Sequence, residues 1–429
     1  MTRVAPDRPV ARREIWSWYL YDFADSAFTT VIVTAFYVLY FKEVVVGGAS
    51  GRGDWYWGVA NALSQVVVVL LLPLLGAIAD HSARKLIFLR ACGLMIILFT
   101  GSLFLVGPGM VAAGMVLFML ANVGFQSGGV FIDAFLPELA RADNVGRLSG
   151  TKWGVGYVGG LLSLAAVAPL AIGGFGPDNL WRARLVFPVV ALWYAVASLP
   201  AFLVLRERAL PRVLPPGQSL TGAGVRRLLA TAGRIRHYRE LVKFLIAFWI
   251  YNDAIVTIIV FAAAYAHDTL GFSMAENLGL LLAVNIPAAI GSILCGRLVD
   301  RIGGVRTITL TLLLWLGVIA GTVLTSTRAP YYGVAVVAGL CMGSTQSASR
   351  SVVARFTPRG HAAEFFAFLG VAGKVSAIAG PLLFGLISAT TGSQKLAVVA
   401  VGLFVLGGLL VLLTVDEAAG HAAAATDPA

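Results

Sequence analysis

Twelve times along this chain an apolar stretch long enough to cross a bilayer as a helix, about 20 residues, is closed by a short polar connection. The stretches run near 15–41, 55–79, 85–106, 109–136, 149–172 and 183–205, and again near 243–267, 275–299, 306–326, 331–356, 364–389 and 395–415. In hydrocarbon the backbone must satisfy its own hydrogen bonds, so segments of this length predict helices. The composition agrees, since 59% of residues are hydrophobic and only 12% charged, far from the balance of a soluble domain. The chain therefore reads as an all-α membrane protein with twelve transmembrane helices. The first stretch is too long for a signal-peptide core and holds Asp22 and Asp25, so it is read as a membrane helix.

Charge sets the orientation. The net charge of +11 does not form a basic face on any soluble domain, which argues against a nucleic-acid partner. If the N-terminus is cytoplasmic, the inside segments hold 23 of the 32 basic residues, while the outside loops hold Lys42, Arg52, Arg182, Arg184, Arg328 and Lys395. That bias places both termini and the central connection in the cytoplasm, as expected of a multi-pass protein of the inner (plasma) membrane. The expected organisation is a bundle over 1–205, a linker over 206–242, a second bundle over 243–415 and a tail over 416–429. Within the linker Val225, Leu228, Leu229, Ala232 and Ile235 share one helical face flanked by Arg226, Arg227, Arg234 and Arg236, the pattern of an amphipathic helix on the inner leaflet; a flexible linker is the alternative.

The halves repeat each other. Gly76-Ala-Ile-Ala-Asp80-His81-Ser-Ala83-Arg84-Lys85 closes the second stretch, and Gly296-Arg-Leu-Val-Asp300-Arg301-Ile-Gly303-Gly304 closes the eighth. Both resemble the signature loop of the major facilitator superfamily, in which a glycine lets helices approach and an aspartate at a helix end pairs with an arginine or a helix N-terminus. The first copy departs from the pattern at His81 and Ala83, the second at Gly304. The resemblance implies the major facilitator fold, two six-helix pseudo-symmetric bundles that rock about a midplane site. Gly76, Asp80, Arg84, Gly296, Asp300 and Arg301 are accordingly expected to act as conformational latches rather than ligands.

A narrower resemblance covers almost the whole chain. Tyr21-Asp22-Phe-Ala-Asp25-Ser26-Ala-Phe28, Asp133-Ala-Phe-Leu136-Pro137-Glu138, and Arg147-Leu-Ser149 through Gly156-Tyr157-Val-Gly159-Gly160 are similar to motifs of the vacuole-effluxer-like family, which includes fungal vacuolar amino-acid exporters. In the second half the resemblance continues through Tyr251-Asn252-Asp253, Gln346 to Ser349-Arg350-Ser351, Glu364-Phe365-Phe366, and Gly373-Lys374 leading to Gly380-Pro381. Asp25 and Asp133 stand where the family more often shows asparagine. What the family implies is a carrier, with an amino acid as its solute.

Polar residues inside the stretches locate the chemistry. Asp22, Asp25, Ser26 and Thr29 fall on one helical face, as do Asn122, Gln126 and Asp133, Asn61, Ser64 and Gln65, and Gln346, Ser349 and Arg350. Such stripes must face protein or water. Each charge in a membrane helix costs about 2.5–3.5 kcal/mol, so Asp22, Asp25, Asp133, Asp253, Arg350 and Lys374 together would cost on the order of 18 kcal/mol without pairing, hydration or protonation. Asp22, Asp25, Asp253 and Lys374 lie about ten residues from the cytoplasmic ends of their stretches, near the midplane where carriers hold substrate. The expected substrate- and proton-binding set is therefore Asp22, Asp25, Gln126, Asn252, Asp253, Gln346, Arg350 and Lys374. Asp133 divides evenly between structural pairing and function, and a fixed ion pair is the alternative role of Arg350.

Two look-alikes carry no chemistry. Gly154-Val-Gly156-Tyr-Val-Gly159 sits in an apolar helix with no preceding strand, so helix packing explains it. Gly373-Lys374 lacks both the first glycine and the hydroxyl of a phosphate-binding loop, which favours transport driven by an ion gradient. Cys92, Cys295 and Cys341 have no metal-ligand spacing, and neither a cofactor nor a metal is expected. The expected partners are a small-molecule substrate, protons and membrane lipids, with the chain a monomer. The function expected is a proton-coupled secondary carrier of a small zwitterionic or cationic solute, not an enzyme. The rivals are an exporter of amphipathic drugs or lipids and a non-transporting receptor or scaffold; a vesicle flux assay with a dye panel separates the first, and acids at the midplane of both halves argue against the second. The charge bias makes a direct prediction: a membrane-impermeant thiol reagent applied outside should label a cysteine at Gly48 and not one at Gln218, and the reverse pattern would invert the orientation.

Overall fold

The computed structural model describes residues 10–48, 52–141, 143–209, 237–358, 360–376 and 379–426, with Gly222, Val225 and Arg226. Most of the expected linker helix lies outside the described residues. The long helices are α1 (Arg12–Ala27), α2 (Arg52–Ser82), α3 (Lys85–Ser102), α4 (Val111–Asp133), α5 (Val145–Ala171), α6 (Leu180–Val204), α7 (Arg239–Leu270), α8 (Met274–Ile302), α9 (Gly304–Leu324), α10 (Arg328–Phe356), α11 (Ala362–Val375, resumed by Ala379–Thr391) and α12 (Gln394–Leu412), followed by a short α13 (Glu417–Thr426). Two boundaries differ from the sequence expectation. Helix α7 begins at Arg239, inside the expected linker, and the expected tail is largely helical.

Eleven stretches among the described residues are long and apolar enough to cross a membrane, and α10 is not one of them. Its 29 residues suffice in length, but its second half buries Ser344, Thr345, Ser347, Ser349 and Ser351. These hydroxyls return hydrogen bonds to the backbone: Thr345 to Cys341 O at 2.7 Å, Ser349 to Thr345 O at 2.6 Å and Ser351 to Ser347 O at 2.9 Å. A helix that shows its polar face to protein can be far less apolar than one that meets lipid.

The first span is irregular in a specific way. After α1 the chain widens into π-helical turns over Phe28–Ala35, tightens over Tyr37–Tyr40 and widens again over Phe41–Val45. The i−5 register shows in Phe36 N–H to Val31 O at 2.7 Å and in the Thr34 hydroxyl to Thr29 O at 2.9 Å. Such wide turns concentrate at functional sites, and this one starts three residues beyond Asp25.

The chain forms two compact units, Met1–Leu139 with Val155–Val225, and Ala140–Gly154 with Arg226–Ala429. Helix α5 therefore gives its first turns to unit 2 and the rest to unit 1. In unit 1, α1 packs on α6, α3 on α4 and α6, and α2 on α4. In unit 2, α8 packs on α10, α7 on α12, and α9 on α10 and α12.

Glycine makes the closest of these contacts possible. A Cβ on Gly291 would lie 2.4 Å from Leu340 O, one on Gly339 2.2 Å from Val284 O, and one on Gly343 2.1 Å from Ala288 O. The α8 and α10 backbones thus touch at three levels, each closed by a glycine. The look-alike motif on α5 behaves the same way. A Cβ on Gly159 would reach Phe23 O of α1 at 2.4 Å, and one on Gly150, a turn before the motif, would lie 2.1 Å from Ser292 O of α8. Gly343→Val must displace rigid backbone, whereas Gly385→Val meets nothing within 4 Å. The first should cost about 1–3 kcal/mol and lower the melting temperature of the detergent-purified protein; the second should leave it unchanged. Equal melting of the two variants would show that the α8–α10 contact is not tight.

Candidate functional site

Unit 2 carries a continuous chain of polar side chains. Ser376 accepts from Asn252 Nδ2 at 2.6 Å, Asn252 Oδ1 accepts from Gln346 Nε2 at 3.0 Å, and Gln346 Oε1 accepts from Arg350 Nη1 at 3.3 Å. The Arg350 guanidinium lies over the Trp153 ring, 4.6 Å from its centre. Four helical segments meet in this chain: α7, α10, the end of α11, and the first turns of α5. Periodicity alone places Gln346 and Arg350 one turn apart on α10, which is why both were legible in the sequence. Asn252 and Ser376 were joined only by folding. Lys374 sits two residues before Ser376 with Arg350 as its charged neighbour, and among the described residues no carboxylate lies within ion-pair distance of its ammonium. Asp253 is 3% exposed, and its Oδ1 has no hydrogen-bond partner among the described residues.

Unit 1 presents the acids. Asp22 is half-buried and Asp25 is 9% exposed. They share a helix face, yet their surroundings differ. A Cβ on Gly156 of α5 would sit 2.2 Å from Asp22 Oδ2 and 3.0 Å from Ser26 Oγ, so only a glycine lets α5 cross here. Asp25 lies instead close to the buried Tyr21, Tyr194 and Cys92, where the Tyr194 hydroxyl donates to Tyr21 at 2.8 Å. Gln126 is buried with Oε1 unpartnered among the described residues, and nearby on α4 Asn122 donates to Ser64 Oγ at 2.7 Å. Unit 2 repeats the acid, hydroxyl and glycine grouping: a Cβ on Gly380 would lie 2.1 Å from Thr257 Oγ1 and 3.1 Å from Asp253 Oδ1.

The signature loops sit at the ends of α2 and α8. Ala83 occupies the glycine position of the first loop and is held at φ +50°, a left-handed conformation that costs an alanine about 1–2 kcal/mol. In the second loop Gly303 takes φ +94° freely. The Asp300 carboxylate accepts from the N–H groups of Gly146 at 2.7 Å and Arg147 at 2.8 Å, capping the start of α5 inside unit 2. Gly296 and Gly146 make the backbone crossing beside it, each too close to the other for a Cβ. Asp80 is 2% exposed and acts on the buried Lys85 ammonium, which hydrogen-bonds Ala134 O and pairs with Glu138. Gly76 is buried in α2, whereas Arg84 and Arg301 are exposed.

Two acids that no sequence motif singled out complete these ends. Glu207, just beyond α6, accepts from Leu86 N–H at 2.7 Å, and burial pushes its carboxyl above the usual carboxylate range. Glu417, just beyond α12, accepts from Gly304 N–H at 2.9 Å and Val305 N–H at 3.0 Å, and Arg355 links it to Asp300. Each acid caps the helix that follows a signature loop. The available signal was positional: Glu207 is the first acid after the last span of its half, and Glu417 directly follows Asp416, the first acid after the other.

Comparison with known proteins bears on the whole of this arrangement. A family model described as vacuole effluxer Atg22 like matches residues 56–425. The MFS-type transporter YxiO of Bacillus subtilis is 28% identical over 421 residues, which cover 94% of each chain. Autophagy-related protein 22-1 of Aspergillus niger is 28% identical over 296 residues, 64% of this chain and 48% of the fungal one, so the chain spans about half the length of that relative. Among solved structures, the human organic anion transporter MFSD10 superposes with a TM-score of 0.75 at 15% identity, over 94% of this chain and 100% of that one. The proton:xylose symporter XylE gives 0.67 at 15% identity, over 93% and 94%. Likeness at this identity shows the fold.

The Asp300 cap can be tested directly. Asp300→Asn removes the charge from the α5 N-terminus at nearly constant volume, and should cost about 0.5–2 kcal/mol. A fall of a few degrees in melting temperature is the expected reading. A variant as stable as the parent would mean that the two N–H contacts contribute nothing net.

Proposed function

The chain belongs to the vacuole effluxer Atg22-like family and is a multi-pass transporter of the major facilitator type, and from that premise we propose that it carries a small polar solute by alternating access, with a proton as the coupling ion. The observation behind this reading is the Ser376–Asn252–Gln346–Arg350 chain with Lys374 beside it. A scaffold has no reason to maintain amides, a guanidinium and an ammonium within membrane spans, where each charge is costly. A solute that brings an anionic group meets Lys374, and Gln346 and Asn252 offer hydrogen bonds to orient it. An amino acid or a related zwitterion fits that provision.

The acids of α1 supply the proton step. Two carboxylates three residues apart disfavour double ionisation, and Asp22, half-buried beside Gly156, is the one within reach of a changing environment. Asp25, 9% exposed, serves the site from further inside. Asp80 and Asp300 act as latches by holding helix starts at the ends of α2 and α8. In this proposal the termini face the cytoplasm of a cell whose inner membrane holds the protein as a monomer.

Asp22→Asn removes the titrating group with almost no change in volume, so the variant should insert and fold. In vesicles carrying an imposed pH gradient, proton-driven flux of amino acids should fall at least about tenfold, while solute exchange without a gradient survives. Asp25→Asn should be milder. Undiminished gradient-driven flux in Asp22→Asn would leave Asp22 a structural residue and remove the coupling assignment.

A further inference from the structure

Arg90 is a charged residue within a membrane span that the transport reading does not use. It lies on α3, five residues from the helix start at Lys85, hence about 8 Å along the span. Its side chain is exposed, and its Nε and Nη2 both donate to Phe202 O of α6. Nη1 makes no hydrogen bond among the described residues, and no carboxylate there lies within ion-pair distance. The surface around it is that of a membrane protein's outer wall. Ile87, Leu94 and Leu98 of α3 are 53–55% exposed, and Leu199 and Leu203 of α6 are 50% and 71% exposed. The two helices are in direct contact, with the Phe202 ring filling the space over Gly93.

We propose that Arg90 and the α3–α6 surface hold the headgroup of an anionic phospholipid, with its acyl chains along the leucines of both helices. A guanidinium facing hydrocarbon is costly unless an anion reaches it, and phosphate matches its fork geometry. The carbonyl of Phe202 fixes the orientation of the guanidinium, so little side-chain freedom is lost when the phosphate arrives. The flanks favour a headgroup of net negative charge over a zwitterionic one. Arg84 at the start of α3 and Arg206 beyond the end of α6 are both exposed. The acid next to them, Glu207, accepts from Leu86 N–H with one oxygen and has the other buried, so neither faces the amine of a zwitterionic lipid. A free phosphate would need water at a site lined by exposed leucines, which points to a lipid as the carrier of the anion.

The test uses the full chain in nanodiscs of phosphatidylcholine alone or of phosphatidylcholine mixed with phosphatidylglycerol, with native mass spectrometry reading the lipids retained on release. The wild type should retain phosphatidylglycerol over phosphatidylcholine by about fivefold, the scale set by one basic residue at an anionic surface. Arg90→Gln should abolish that preference and Arg90→Lys should keep most of it. A wild type without preference overturns the proposal, and so does an Arg90→Gln variant that keeps it. If Arg90→Gln does not fold, a photoactivatable phosphatidylglycerol on the wild type decides: crosslinks must map to α3 and α6 around Arg90, and crosslinks confined to other helices overturn the assignment. Inorganic phosphate added to the phosphatidylcholine sample should neither bind nor raise the melting temperature; stabilisation by phosphate alone would show a soluble-anion site instead.

Discussion

Helices in hydrocarbon gain little from burying leucine against leucine, because the lipid is equally apolar. What holds them together is the close approach of backbones and the pairing of the polar groups they expose. Gly343 against Ala288 O, Gly159 against Phe23 O and Gly150 against Ser292 O are contacts of the first kind. The Asn252–Gln346–Arg350 chain is a contact of the second kind. The two are linked in α10, where Gly339 and Gly343 press one face against α8 while Gln346 and Arg350, a turn or two further on, take the polar chain. A helix pinned by backbone contacts holds its polar side chains in fixed positions, which is what a binding site requires.

The repeat extends to the chemistry. Unit 1 sets Asp22 and Ser26 against Gly156, and unit 2 sets Asp253 and Thr257 against Gly380. In both an acid and a hydroxyl one turn apart face a glycine on the fifth or eleventh span. The halves then diverge. Unit 1 adds a second acid, Asp25, and a buried tyrosine pair; unit 2 adds the Asn252–Gln346–Arg350 chain.

The span positions were legible because hydrocarbon demands about 20 apolar residues in a row, a signal that tertiary contacts do not blur. Helix α10 tests that rule from the other side, since its buried serines make it polar while its length and neighbours keep it a core helix. The polar stripes on α1 and α10 were legible from helical spacing. Their partners were not, since Ser376, Trp153 and Tyr194 come from helices far away in sequence. Nor did spacing show that Asp22 and Asp25 meet different surroundings. The wide turns beyond Ala27 also leave no trace in a 3.6-residue period. Glu207 and Glu417 escaped notice for a further reason: a lone acid in a connection has no pattern of its own, and its meaning depends on the helix end it reaches.

Those two acids set an order on synthesis. Leu86 meets Glu207 across 121 residues, and Gly304 meets Glu417 across 113. As the chain emerges from the ribosome, the start of α3 keeps bare N–H groups until the sixth span has been threaded, and the start of α9 until the twelfth has. Each half is thus sealed by an acid a few residues past its last span, so an interrupted half stays marked by an uncapped helix end that water, or a quality-control protease, can reach.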